Sequence, residues 1–319
     1  MGKLPGSPKF AVKWPDQRPI GSLILATAAT NWRTNPRGWF LDPQIDVQTT
    51  NGLARFHDRL LEWEDRSIVI LRDMGAQGMI TWDMEGVQFP PPITYVGDPT
   101  LCSELAPEMA IVADEYFAHF RRTGLRVGVT VRPQQFRRTL SNAKQEDVSN
   151  PADQLIRKIG YARQRWGATL FYIDSNGYPG WPLGSDVIAK VAGTFPDVLL
   201  IPEERGSQAA LGSPDALNAG PPRSALPAFT EEKNISYYAV TAPYSELRKG
   251  AYSTPSLVRF FYPEAFSIVN TADGFIDARY SELVAAADRG DILMFRSLFP
   301  DPANDIVKRI YRQSKFKGR

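Results

Sequence analysis

The chain reads as a single (β/α)8 barrel, on three observations. Strand-like and helix-like patterns alternate along its 319 residues, which predicts a mainly parallel sheet wrapped by helices. The apolar runs of strand length number eight, more than a doubly wound sheet usually holds. Neither G-x-G-x-x-G nor G-x-x-x-x-G-K-[ST] occurs, so the nucleotide fingerprints of that competing fold are missing. Residues 1–18 are expected to form an N-terminal extension. Residues 19–319 are expected to form the barrel, with extended loops at the C-terminal face of the strands.

Strand one is expected at 21–28, ending near Asn31 and Trp32. A polar loop leads to a helix whose apolar residues Phe56, Leu60, Trp63, Ile70 and Met74 define one buried face. Strand two is 78–82. Beyond a Pro-rich turn, Leu105, Met109, Val112, Tyr116 and Phe120 mark a second helix that stops at Gly124. Strand three is 126–131. The third helix is well punctuated: Asn150 suits the N-cap, Pro151 the first turn, Gly167 the end, and Leu155, Ile159, Ala162 and Trp166 form the stripe. Strand four is 169–173, a helix covers 185–195, and strand five is 198–201. Residues 206–223, rich in Gly, Ala, Ser and Pro, read as an irregular crossing loop. Strand six is expected at 235–240, strand seven at 266–269, a helix at 277–289, strand eight at 292–295 and a last helix at 302–312.

Composition narrows the chemistry. The 37 basic and 35 acidic residues nearly cancel and form no basic stripe except a short tail, 308–319, which argues against nucleic acid as a partner. No apolar stretch approaches bilayer length, so no membrane partner is expected. The first residues lack a signal-peptide apolar segment, which leaves a cytoplasmic protein or a secreted one whose signal has been removed. Cys102 is the one cysteine, and His57 and His119 are the only histidines; both lie on helix patterns. Without a Cys/His cluster, no metal site is expected, and no cofactor is called for. A Schiff-base mechanism would want a lysine at a strand end, and no assigned strand ends in one.

Three strands end instead in acid: Trp82-Asp83-Met84-Glu85-Gly86, Tyr172-Ile173-Asp174-Ser175 and Ile201-Pro202-Glu203-Glu204. Barrel strand ends converge on one pocket. Hydrolysis of a glycosidic bond needs two carboxyl groups, one to protonate the leaving oxygen and one to attack the sugar or activate water. Asp174 and Glu203, on adjacent strands, are the expected catalytic pair, with Asp174 as nucleophile and Glu203 as acid/base. Glu204 rivals Glu203, because a one-residue slip in register reverses which side chain faces inward. Asp83 and Glu85, two apart, would share a side with Thr81 and bind substrate hydroxyls, or Glu85 could be the acid. Arg132, inward at the end of strand three, would favour the charged form of a neighbouring carboxyl. Trp32, Trp82, Tyr172 and Trp181 supply flat apolar surfaces for the faces of sugar rings. The bland alternatives are Asx turns for Asp174 and loop packing for the aromatics.

On these strand-end motifs the chain resembles the (β/α)8 glycoside hydrolase superfamily across about residues 21–311. An Asp closing strand four with a Glu closing strand five is similar to the α-amylase group, although Tyr172 stands where that group carries an Arg. The resemblance implies a TIM barrel that cleaves glycosidic bonds in an oligo- or polysaccharide by a retaining mechanism, with carbohydrate as its partner. The competing expectation is a catalytically silent barrel that binds carbohydrate or protein through the same face.

Overall fold

The computed structural model describes residues 14, 16–26, 31, 33–40, 42–87, 94–138, 143–174, 185–202, 240–243, 267–270, 280–288, 290–297 and 302–314. Among the described residues, eight parallel strands form one sheet: β1 (Ile20–Ile24), β2 (Gly78–Trp82), β3 (Arg126–Val131), β6 (Leu170–Ile173), β7 (Leu199–Pro202), β8 (Val240–Pro243), β9 (Ser267–Asn270) and β10 (Ile292–Arg296). A hairpin of β4 (Gln135–Arg138) and β5 (Ala143–Glu146) is inserted after β3. The order in the sheet is β7-β6-β3-β2-β1-β10-β9-β8. Its two terminal strands, β7 and β8, also approach each other, so the sheet is curled. Among the described residues, no ladder joins those two strands.

Helices cover the outside. They are α1 (Thr50–Asp73), α2 (Cys102–Leu105), α3 (Pro107–Arg122), α4 (Pro151–Trp166), α5 (Ser185–Thr194), α6 (Tyr280–Asp288) and α7 (Pro302–Gln313). The Thr49 side chain caps α1 by accepting the Gly52 N–H, and Phe56, Leu60, Trp63 and Leu71 turn inward at helical spacing. α4 ends as expected, because Gly167 takes the left-handed conformation (φ 67°) that favours glycine. Asn150 precedes α4 but makes no capping bond; its amide is turned to Asp153 instead.

Alternation along the strands separates two apolar layers. Ile20, Ile80, Leu170, Tyr172, Leu199, Ile201, Ile268, Ile292 and Met294 pack together on the concave face, with Trp14 buried beside them. Leu23, Met79, Val127, Val129, Phe171, Leu200 and Leu293 face the helices and pack against Phe56, Tyr116, Phe117, Leu155 and Trp166. Trp63 and Trp166 belong to that outer core, and Cys102 is buried in it.

Three expectations change. Strand one stops at Ile24, because Ala26 leaves the sheet and bridges Trp39 in the following loop. Strand six, expected at 235–240, is seen at Val240–Pro243 and so runs beyond its expected end; residues 235–239 lie outside the described set. The β4–β5 hairpin has no counterpart in the sequence reading, since Gln135-Phe-Arg-Arg and Ala-Lys-Gln-Glu lack an apolar alternation.

Candidate active site

The C-terminal ends of β2, β3 and β6 bring together Asp83, Arg132 and Asp174. All three are buried: the two aspartates are 3% exposed and the arginine 7%. Arg132 Nε donates to Asp174 Oδ2 at 2.6 Å, forming a buried ion pair. Gly128, Thr130 and Arg132 share one side of the strand by alternation, so the guanidinium reaches over the concave face. Register sets its partner, because Val131 pairs with Ile173 and Asp174 therefore ends β6 beside the end of β3.

Asp83 arrives differently. Thr81 points outward, with its hydroxyl 2.9 Å from the Tyr116 hydroxyl on α3. It is therefore not on the pocket side, contrary to expectation. Plain alternation would send Asp83 outward as well. Instead Asp83 has φ 61°, leaves the extended path, and opens a turn in which the Gly86 N–H donates to the Asp83 carbonyl at 2.9 Å. Left-handed backbone costs a non-glycine residue about 1–2 kcal/mol, least for Asp and Asn. Burial pushes the Asp83 carboxyl well above the usual range. The charges of Glu85 and Asp174 push it the same way, while Arg132 and the Ala26 backbone N–H pull it down.

Glu85, 1% exposed, is placed elsewhere. Its carboxylate accepts the Asp98 N–H at 2.8 Å and the Val96 N–H at 3.4 Å, so it braces the segment 94–98. Burial and the nearby Asp98 raise it to about 7. That segment wraps Arg132. The Tyr95 ring lies 4.6 Å from the guanidinium carbon and donates its hydroxyl to Thr130 Oγ1 at 2.7 Å. Gly97 (φ 60°) accepts the Arg132 N–H at 2.9 Å, and a Cβ there would stand 2.7 Å from the Arg132 backbone nitrogen. From the inserted hairpin, Gln145 Oε1 accepts Arg132 NH1 at 3.0 Å.

Trp82 and Tyr172, both on the concave side, lie with ring centroids 4.6 Å apart at 44°. The buried Trp82 indole N–H has no hydrogen-bond partner among the described residues. Lys158, fully buried on α4, donates to the backbone carbonyls of Arg132 (2.7 Å) and Gln134 (2.8 Å) and lies 3.7 Å from Asp98. Arg157 closes the cluster with a 2.5 Å bond to Asp98. Gln145 and Lys158 went unnoticed in the sequence. One lies on an unforeseen hairpin, and the other approaches a strand end from a helix, where a search of strand termini does not look.

Glu203, Glu204, Trp32 and Trp181 lie outside the described residues; Pro202 opposite Ile173 is the last described position of β7. No cluster of three or more metal-ligating side chains occurs among the described residues, and no described helix is long and apolar enough to cross a membrane.

The arrangement is similar to known barrels in fold alone. No protein-family model matches the chain, and no curated protein does. Among solved structures, UMP synthase of Leishmania donovani aligns with 95% of this chain and 55% of its own, at 12% identity and a TM-score of 0.51. The chain thus spans about half the length of that structure. An α-amylase of Lactobacillus plantarum aligns with 92% of this chain and 78% of its own, at 10% identity and a TM-score of 0.47. An α-amylase of Geobacillus thermoleovorans gives 93%, 78%, 12% and 0.46 in the same order. An α-galactosidase and an α-fucosidase are further glycoside hydrolases among the similar structures.

Proposed function

We propose that the chain is a (β/α)8 glycosidase, acting by a retaining two-carboxylate mechanism on an oligo- or polysaccharide. The observation that carries the reading is a pair of buried aspartates in unlike surroundings at the ends of β2 and β6, on either side of β3. Asp174 is ion-paired with Arg132 at 2.6 Å, while Asp83 is pushed toward its protonated form. A carboxyl that burial keeps protonated, beside one that an arginine pairs, suits an acid and a nucleophile. Asp83 would give its proton to the leaving glycosidic oxygen as Asp174 attacks the anomeric carbon. A glycosyl ester on Asp174 would result, and water, deprotonated by Asp83, would cleave it. Glu203, next after the last described residue of β7, is the second candidate for the proton donor. Trp82 and Tyr172 would cover one face of a sugar ring, and the free indole N–H would donate to a hydroxyl.

One observation favours a second reading, a silent binding barrel: Asp174 is already satisfied in a buried ion pair. Reducing-sugar release over a panel of polysaccharides and aryl glycosides separates the two. Glycosidase action predicts release by the wild type and a fall of at least about 100-fold in both Asp174→Asn and Asp83→Asn. Release that survives in Asp174→Asn removes that residue from the chemistry. Binding without release favours the silent barrel.

A further inference from the structure

We infer that Lys158 is a positioning residue that fixes where the Arg132 guanidinium stands, and through it the Asp174 carboxylate. The inference rests on the proposed roles of those two groups. Lys158 is the unusual member of the cluster. A lysine is almost never fully buried without partners, and this one is entirely enclosed among α4, β3 and the segment 94–98. Its ammonium does not face the concave surface. It donates to the carbonyls of Arg132 and Gln134, the first and third residues after β3, and it neutralises Asp98.

The backbone of Arg132 is thereby held at both ends. Its N–H donates to the Gly97 carbonyl and its C=O accepts from Lys158. Those two restraints come from the same scaffold, because Asp98 follows Gly97 and is bonded to Glu85, Lys158 and Arg157. Asp174, Gln145 and Tyr95 hold the guanidinium itself, and a displaced root would shift it against all three. Misplacement of a catalytic group by about 1 Å costs on the order of 100-fold in rate. Burial lowers the Lys158 ammonium to about 8, while Asp98 pulls it upward.

The test substitutes Lys158→Met, of similar length but without donors, and Lys158→Gln, which keeps a neutral donor should the first variant not fold. Two readouts apply. The 15N resonance of the Arg132 Nε–H, assigned by its loss in Arg132→Lys, reports the bond to Asp174 without any substrate. It is expected to move toward the position of a solvent-exposed arginine in either variant. On a cleaved glycoside, kcat is expected to fall at least about tenfold with KM within about twofold. An unchanged Nε–H resonance in a folded variant overturns the inference, even where thermal stability falls. If no glycoside is cleaved, the proposed function fails, while the resonance still decides the role of Lys158.

Discussion

Asp83 is the residue on which the site turns. Its left-handed backbone carries it across the alternation that Thr81 still obeys, and puts it among Glu85, Arg132 and Asp174. The sequence named Asp83, Glu85, Arg132 and Asp174 as candidates because they follow apolar runs; the structure brings Asp83, Arg132 and Asp174 together and sets Glu85 against the backbone of Val96 and Asp98. It could not separate their environments. Backbone bonds to Glu85 depend on how residues 94–98 fold back, and no local pattern encodes that. Asp83→Asn keeps the size and tolerates φ 61°, so the fold is expected to persist. A carboxyl raised by folding favours the folded state at acid pH, and that advantage is lost as pH rises above its ordinary value of 3.8. Asp83→Asn should therefore leave stability unchanged in acid and raise it near neutrality. Denaturant unfolding at both pH values checks this, and a loss near neutrality would contradict it. Arg132→Met is the opposite case. It strands Asp174 in a buried site, with an expected cost of about 3–5 kcal/mol by the same assay.

At the scale of elements, α1 and α3 carry a second polar contact. Glu64, fully buried on α1, faces His119 on α3 at 3.3 Å, with Asp65, Glu115 and Arg122 nearby. The other histidine, His57, likewise reaches from α1 to Glu115 on α3 at 3.1 Å. Burial raises Glu64 to about 9, and the acidic neighbours reinforce it. Its neutral form is the one the fold prefers, so its contribution is complete below 4.5 and is lost as pH rises toward 9. Glu64→Gln should raise the midpoint of thermal unfolding at about pH 8 and leave it unchanged at about pH 4. Equal effects at both pH values would show that packing, not charge, sets the difference. The stripes of α1, α3 and α4 were legible because Leu60, Phe120 and Trp166 recur at helical spacing and are buried. Glu64 was not legible, because a carboxylate within such a stripe looks like an exposed position until the facing helix is known.

At the scale of the molecule, the described residues form a curled parallel sheet with its concave layer separate from the helix-facing one. The alternation of patterns foresaw the parallel strands, since only crossover helices return a chain to a parallel neighbour. The end of strand six was placed too early, because Val-Thr-Ala-Pro carries too little apolar pattern to mark it. The account of the site depends on the raised carboxyl of Asp83 at the end of β2. Titration of 13C-labelled aspartate carboxyls by NMR, in the wild type and Asp83→Asn, tests it without a substrate. The predicted result is one aspartate that keeps its proton well beyond the range in which the surface aspartates lose theirs, and that vanishes from the Asp83→Asn spectrum. If every aspartate titrates together in the ordinary range, Asp83 holds no proton to donate and the proposed acid is wrong.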